Sequence, residues 1–245
     1  MSIVIAHRGV TGVNMVENTV KAFERAVALG ANFIETDVRL TSDGSLICFH
    51  DGKWDGTAVK KMTYSSLQRY ARKIGWELPL LEEVLLICKG KIQVDIELKA
   101  KGLEQQVIDK VRKTGMSENV LITSFYDTVL RNIKNKAPEI KTGLLLGRKL
   151  LQQRFRIHAY AQDLYPESRL KKIQADAVCP HYYLLHLGFI KRMKRLDLPV
   201  YVWTVNEKRR MRKVLAKGAN GLITDQVLEA MEVIKGESEK EQLGK

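Results

Sequence analysis

Residues 32–51 read NFIETDVRLTSDGSLICFHD, and this stretch sets the fold and the chemistry together. Side chains two apart on a strand share a face, so Glu35 and Asp37 point the same way, roughly 7 Å apart after two strand rises. Two carboxylates on one face repel unless a cation lies between them. The hard oxygen-seeking ions Mg²⁺ and Ca²⁺ suit such a pair; a solvent-facing acidic strand is the alternative. The turn Thr41-Ser42-Asp43-Gly44 ends the run, and Ser45 to Phe49 reads as a second strand that delivers His50-Asp51 to its C-terminal end.

Outward from this stretch, short apolar runs alternate with amphipathic ones along the whole chain. Strands are expected at Ile3 to Ala6, Phe33 to Leu40, Ser45 to Phe49, Ile92 to Leu98, Val120 to Ser124, Lys141 to Leu146, Ala177 to Pro180, Val200 to Val205 and Gly221 to Thr224. Helices fall between them, among them Glu17 to Leu29, Leu103 to Thr114, Asp127 to Lys136, Leu184 to Arg195 and Val227 to Ile234. Arg148 to Tyr165 reads as neither. About eight β-then-α units imply parallel strands with helical crossovers, and at 245 residues a single-domain (β/α)8 TIM barrel fits best. The expected domain spans residues 1–236, with a charged tail over 237–245. A doubly wound open sheet is the alternative; no G-x-G-x-x-G follows the first strand, and there is no P-loop.

A barrel collects its active site at the C-terminal strand ends. Polar residues gather there: His7-Arg8, Glu35 and Asp37 with His50 beyond, Ser124, His181, Trp203 with Asn206, and Thr224-Asp225. Buried parallel strands ordinarily read as apolar runs. Val94-Asp95-Ile96-Glu97-Leu98-Lys99 instead puts Asp95, Glu97 and Lys99 on one face, which in a barrel interior supplies a third carboxylate and a cation.

Composition narrows the class. The chain is 45% hydrophobic with a formal net charge of +13, which favours anionic partners. No aromatics interleave with the basic runs as a single-strand nucleic-acid binder requires, so no nucleic-acid partner is expected. No apolar run is long enough to cross a membrane, and the first residues lack the features of a signal peptide. Cys48, Cys88 and Cys179 lack C-x-x-C spacing and read as buried apolar residues of a cytoplasmic protein.

Taken in order, Ala6-His7-Arg8-Gly9, Glu17-Asn18-Thr19, Glu35-x-Asp37, His50-Asp51, Glu97-x-Lys99, Ser124-Phe125, Val202-Trp203-Thr204-Val205-Asn206 and Thr224-Asp225 resemble the glycerophosphodiester phosphodiesterase family over about residues 3–235. The resemblance implies hydrolysis of glycerophosphodiesters to sn-glycerol 3-phosphate and an alcohol. It implies a divalent metal on Glu35, Asp37 and Glu97, and His7 and His50 as the acid/base pair. Three carboxylates suit Mg²⁺ or Ca²⁺, with Mn²⁺ a third candidate, better than Zn²⁺. Arg8 and Lys99 would neutralise the phosphate, and Trp203 would offer a face to the substrate or plug the barrel. Asn18 and Asp51 would hold other groups in place, and Glu17 would serve a helix N-terminus.

The chain also departs from the family pattern. Val16 stands where a Pro is usual. The segment Gly52-Lys53-Trp54-Asp55-Gly56-Thr57 is short and lacks an Arg usual after His-Asp. An open basic pocket would admit bulkier diesters, so lysophospholipase D action is the alternative activity. Arg148 to Tyr165 is then a candidate for peripheral contact with an anionic lipid surface. A binding protein that had lost catalysis would show a broken residue set, and here the set is intact.

Overall fold

The computed structural model describes residues 2–12, 15–148 and 157–243. In chain order its elements are β1 (Ile3–Ala6), α1 (Val20–Ala28), β2 (Phe33–Leu40), β3 (Leu46–Cys48), β4 (Lys53–Trp54), β5 (Thr57–Ala58), α2 (Tyr64–Lys73), α3 (Leu81–Cys88), β6 (Gln93–Leu98) and α4 (Glu104–Thr114). There follow β7 (Val120–Ser124), α5 (Asp127–Lys136), β8 (Lys141–Leu146), α6 (Ile157–Leu164), α7 (Glu167–Ile173), β9 (Ala177–Pro180), α8 (Phe189–Lys194), β10 (Tyr201–Val202), α9 (Lys208–Ala216), β11 (Gly221–Thr224) and α10 (Val227–Leu243).

Eight parallel strands run in the order β10-β11-β1-β2-β6-β7-β8-β9, with helices between them. Parallel bridges at Val178–Val200 and His181–Trp203 bring β9 against β10 and all but close the barrel. The alternation that marks the strands also sorts their side chains. Val4, Ala6, Ile34, Val38, Val94, Ile96, Ile122, Leu144, Val178 and Leu222 pack outward against the helices. Ile5, Leu145, Cys179 and Ile223 pack inward, joined by Ile3, Phe33, Phe125, Tyr201 and Trp203. On β2 and β6 the inward positions are Glu35, Asp37, Asp95 and Glu97, all buried. Polar groups thus stand where the other strands place apolar ones, which a core does not require. All three cysteines are buried thiols.

Helix ends follow local chemistry. The Thr19 hydroxyl accepts from the Ala22 amide at the start of α1, and Thr63 does the same for Ser66 in α2. Gly115 ends α4 in the left-handed conformation.

Three elements differ from their sequence reading. The Leu184 to Arg195 run is broken, because Leu187 and Gly188 are both left-handed and α8 begins only at Phe189. β10 stops at Val202, after which the chain turns to join Asn206 to β11. α10 continues past Ile234 through Gly236 to Leu243; the Glu, Lys, Gln and Leu that follow offset a glycine cost of about 1 kcal/mol. Of the segment 148–165, residues 149–156 lie outside the described residues.

β3 pairs antiparallel to β2 above the barrel. The residues between β3 and α3 form a small satellite core of Ile47, Val59, Leu67, Ala71 and Leu78. Within it β4 and β5 form a tight hairpin turned by Asp55-Gly56, both with positive φ. Among the described residues, no helix is long and apolar enough to cross a membrane.

Candidate active site

The site starts at the end of β1. Arg8 and Gly9 both have positive φ, 56° and 81°. A Cβ on Gly9 would lie 2.8 Å from the Ala22 carbonyl carbon, so this turn requires glycine on two counts. The turn aims the Arg8 amide at Glu35 Oε2 (2.9 Å). The Arg8 guanidinium donates to both oxygens of Glu17 (3.0 and 2.9 Å) and lies 3.2 Å from Asp37 Oδ2. Glu17 therefore serves Arg8 and not the first turn of α1, which carries no acidic residue.

Parallel pairing of β2 with β6 sets Asp37 beside Glu97 and Glu35 beside Asp95. One oxygen each from Glu35, Asp37 and Glu97 lies within 4.8 Å of the others. Lys99 Nζ is 2.7 Å from both Asp37 Oδ1 and Glu97 Oε2. Asn18, buried and left-handed, donates to Asp37 Oδ2 (2.9 Å) and accepts from the Thr36 hydroxyl (2.8 Å).

The charges in this cluster are unequal. Burial, reinforced by Asp37 and Glu97, raises the Glu35 carboxyl well above the usual range, and burial raises Glu97. Burial opposes ionisation of Asp37 too, but Lys99 and Arg8 outweigh it and hold that carboxyl at about 2. Burial pushes Asp95 to about 8, so it keeps its proton at neutral pH while accepting from the Thr123 hydroxyl (2.7 Å). With every carboxylate ionised, Glu17, Glu35, Asp37 and Glu97 would exceed the two cations within ion-pair distance, Arg8 and Lys99, by two negative charges. Glu35 Oε1 and Glu97 Oε1 are buried with no hydrogen-bond partner. Two orphaned carboxylate oxygens and a twofold charge deficit match a divalent cation with oxygen ligands.

Two histidines face the same cavity of about 430 Å³. His7 Nδ1 is 2.6 Å from Asp225 Oδ1, and Asn206 donates to the other oxygen of Asp225 (2.6 Å). His50 Nδ1 is 2.9 Å from Asp51 Oδ1, at the exposed rim. Each carboxylate can only accept, so each Nδ1 carries the proton and each Nε2 is left for chemistry. Arg39 donates through Nε (2.9 Å) and Nη2 to the His50 carbonyl oxygen.

Trp203 packs among the inward-facing residues of the barrel and also lines the cavity. Its indole N–H donates to the Cys179 carbonyl (2.7 Å), tying it to the barrel, and its ring meets Phe125 edge-on beside the cavity. His181 does not line the cavity. It is buried against Tyr182, Tyr183 and Trp203 and accepts from the Tyr183 amide. His158 is exposed, and His186 stacks on Tyr160. Of the residues expected to act on metal or substrate, His7, Arg8, Glu35, His50, Glu97, Lys99 and Trp203 line this cavity, and Asp37 is buried immediately behind Arg8 and Lys99. Asp225, Arg39 and Arg148 line or support it without having been assigned a role. Thr224-Asp225 stood out as a strand end, but its nearness to His7 depends on barrel closure.

A parallel barrel with buried acids and two histidines at its C-terminal mouth is a TIM barrel with its polar site where such barrels carry their active sites. The model described as "Glycerophosphoryl diester phosphodiesterase family" matches residues 7–229. A glycerophosphodiester phosphodiesterase of Caldanaerobacter subterraneus subsp. tengcongensis is 32% identical over 91% of this chain and 94% of its own. One of Bacillus altitudinis is 30% identical over 92% and 95%. A lysophospholipase D of Rattus norvegicus is 24% identical over 90% and 82%. Among solved structures, a glycerophosphodiester phosphodiesterase from Parabacteroides distasonis superposes with a TM-score of 0.83 at 24% identity, covering 97% of this chain and 98% of that one. An Oleispira antarctica phosphodiesterase in complex with the product sn-glycerol-3-phosphate does so with a TM-score of 0.78 at 21% identity, covering 95% and 96%. This chain belongs to the glycerophosphoryl diester phosphodiesterase family, and it is a phosphodiesterase.

Proposed function

We propose that the chain hydrolyses small glycerophosphodiesters to sn-glycerol 3-phosphate and an alcohol, with His7 and His50 as its acid/base pair. The observation that carries this reading is the pairing of each imidazole Nδ1 with its own aspartate across one cavity from the acidic cluster. Held through Nδ1–H, each ring presents Nε2 to the cavity, where the neutral imidazole takes a proton and the imidazolium gives one to the leaving alkoxide, so one ring serves as base and the other, protonated, as acid.

Glu35, Asp37 and Glu97 would hold a divalent cation, Mg²⁺ or Ca²⁺ before Mn²⁺, because all three donors are carboxylates. Such an ion supplies Lewis-acid neutralisation of the phosphate oxygens. Asn18 and Lys99 keep the carboxylates aimed, and the Arg8 amide fixes Glu35. Trp203 and Phe125 offer an apolar wall for the carbon portion of the substrate.

The test is release of glycerol 3-phosphate from glycerophosphocholine in EDTA, then with Mg²⁺, Ca²⁺ or Mn²⁺ restored. Metal-restored release is expected, and Glu97→Ala should abolish it in a protein that still melts cooperatively. Retained turnover in that variant would refute the metal assignment. Lysophosphatidylcholine runs alongside, because the segment after His50-Asp51 is only a short hairpin. Turnover of that lipid alone would move the activity to a lysophospholipase D.

A further inference from the structure

The cations at the cavity fall into two groups. Arg8 and Lys99 are committed to carboxylates. Arg39 and Arg148 also line the cavity, and among the described residues neither is within ion-pair distance of a carboxylate, although Asp37, Glu97 and Asp51 favour the Arg39 charge from further off. Arg39 spends Nε and Nη2 on the His50 carbonyl, and its Nη1 has no hydrogen-bond partner among the described residues. Nη1 looks onto Gly52, where a Cβ would come within 3.6 Å of it. Arg148 reaches over the rings of Phe125 and Tyr126 and donates to the Tyr126 hydroxyl (2.9 Å).

These two guanidinium groups come from different sides of the mouth, the ends of β2 and β8, and line one cavity. The carboxylates that line the cavity are each set against another group, Glu35 against the Arg8 amide, Glu97 against Lys99, Asp51 against His50 and Asp95 against Thr123. An anion between the two arginines would therefore meet N–H donors that no carboxylate takes up at ion-pair distance.

We propose that Arg39 and Arg148 form a second anion subsite, and that the preferred substrates are glycerophosphodiesters whose alcohol carries a further phosphate group. A planar guanidinium binds phosphate through paired N–H donors, which a neutral or cationic alcohol cannot use. The inference rests on the proposed hydrolysis for its choice of substrate, and the test keeps the two apart.

The test compares glycerophosphoglycerol with its terminally phosphorylated analogue, which differ only in the second anion. The wild-type protein should favour the phosphorylated diester by about tenfold in kcat/KM. Arg148→Gln and Arg39→Gln should each bring the ratio close to one, whereas removal of a remote exposed cation, Lys213→Gln, should leave it unchanged. Calorimetric titration of the same pair in EDTA, where turnover does not intervene, should show the same preference in Kd. Equal kcat/KM and equal Kd for the two diesters would overturn the subsite while leaving the hydrolysis intact. So would a preference that survives Arg148→Gln, or one lost equally in Lys213→Gln. Absence of turnover with the Kd preference retained would overturn the hydrolysis and support the subsite.

Discussion

Asp225 Oδ1 lies 2.6 Å from His7 Nδ1, although the two residues are 218 apart in the chain. The pairing exists because β11 lies against β1 with Thr224 opposite Ala6, so the residues that follow each strand meet. Asn206 and the His7 ring share the carboxylate, and its acidity reflects that: burial opposes ionisation, but the His7 contact outweighs it and lowers the Asp225 carboxyl.

Asp225→Asn should therefore leave the fold intact and cost about 10²-fold or more in kcat, with a smaller change in KM. The amide can donate to Nδ1, which shifts the ring proton to Nε2 and removes the free lone pair that the proposed acid/base role needs there. Nitrogen NMR of the His7 ring should show the tautomer exchange directly. A kcat within a few-fold of wild type would mean that His7 is held by other means.

The acidic cluster gives opposite signs for metal-free and metal-loaded stability. Glu35→Gln removes a buried carboxyl that its neighbours repel, so the variant should melt higher than wild type in EDTA. Ca²⁺ or Mg²⁺ at about a hundred times Kd should stabilise wild type by roughly 2.7 kcal/mol and the variant by little. Thermal melts with and without metal read both effects, and an undiminished metal-dependent rise in the variant would take Glu35 out of the ligand set.

Gly9 and Gly44 both have φ near 80°, but only Gly9 is crowded. Gly9→Ala should cost about 2–4 kcal/mol through backbone strain and the clash with Ala22. Gly44→Ala has open space and should cost about 1 kcal/mol. Denaturant midpoints distinguish the two, and equal losses would contradict the close approach of β1's turn to α1.

His181 makes stability depend on pH. Burial, aided by the Arg210 charge, presses its imidazole down to about 4. The unfolded chain takes up this proton near pH 6.5 and the folded chain only near 4. The unfolded state thus binds more protons in that window, and stability falls as pH drops through it. The difference amounts to at most roughly 3 kcal/mol between pH 7 and 4. Denaturation of wild type and His181→Asn at both pH values isolates the effect from the acidic cluster, since only the difference between them counts. Parallel pH profiles would assign the dependence elsewhere.

What could be read from the chain alone was what depends on neighbours in sequence. The alternation in Phe33–Leu40 and Gln93–Leu98 placed Glu35 with Asp37, and Asp95 with Glu97, on shared faces, and the bounds of β7, β8, β9 and β11 followed from apolar runs and their punctuation. A two-residue period and a helix cap are local properties, so they survive without coordinates. Leu187, left-handed only in its tertiary setting, escaped the same logic. Only the closed barrel decided which strands are neighbours, and with that the sharing of His7 between β1 and β11, the pairing of Asp37 with Glu97, and the burial of His181 behind Trp203. It also decided which cations are already occupied. Sequence offered Arg8 and Lys99 for the phosphate, but packing set both against carboxylates and turned Arg39 and Arg148 toward the cavity, because register and closure couple residues far apart in the chain.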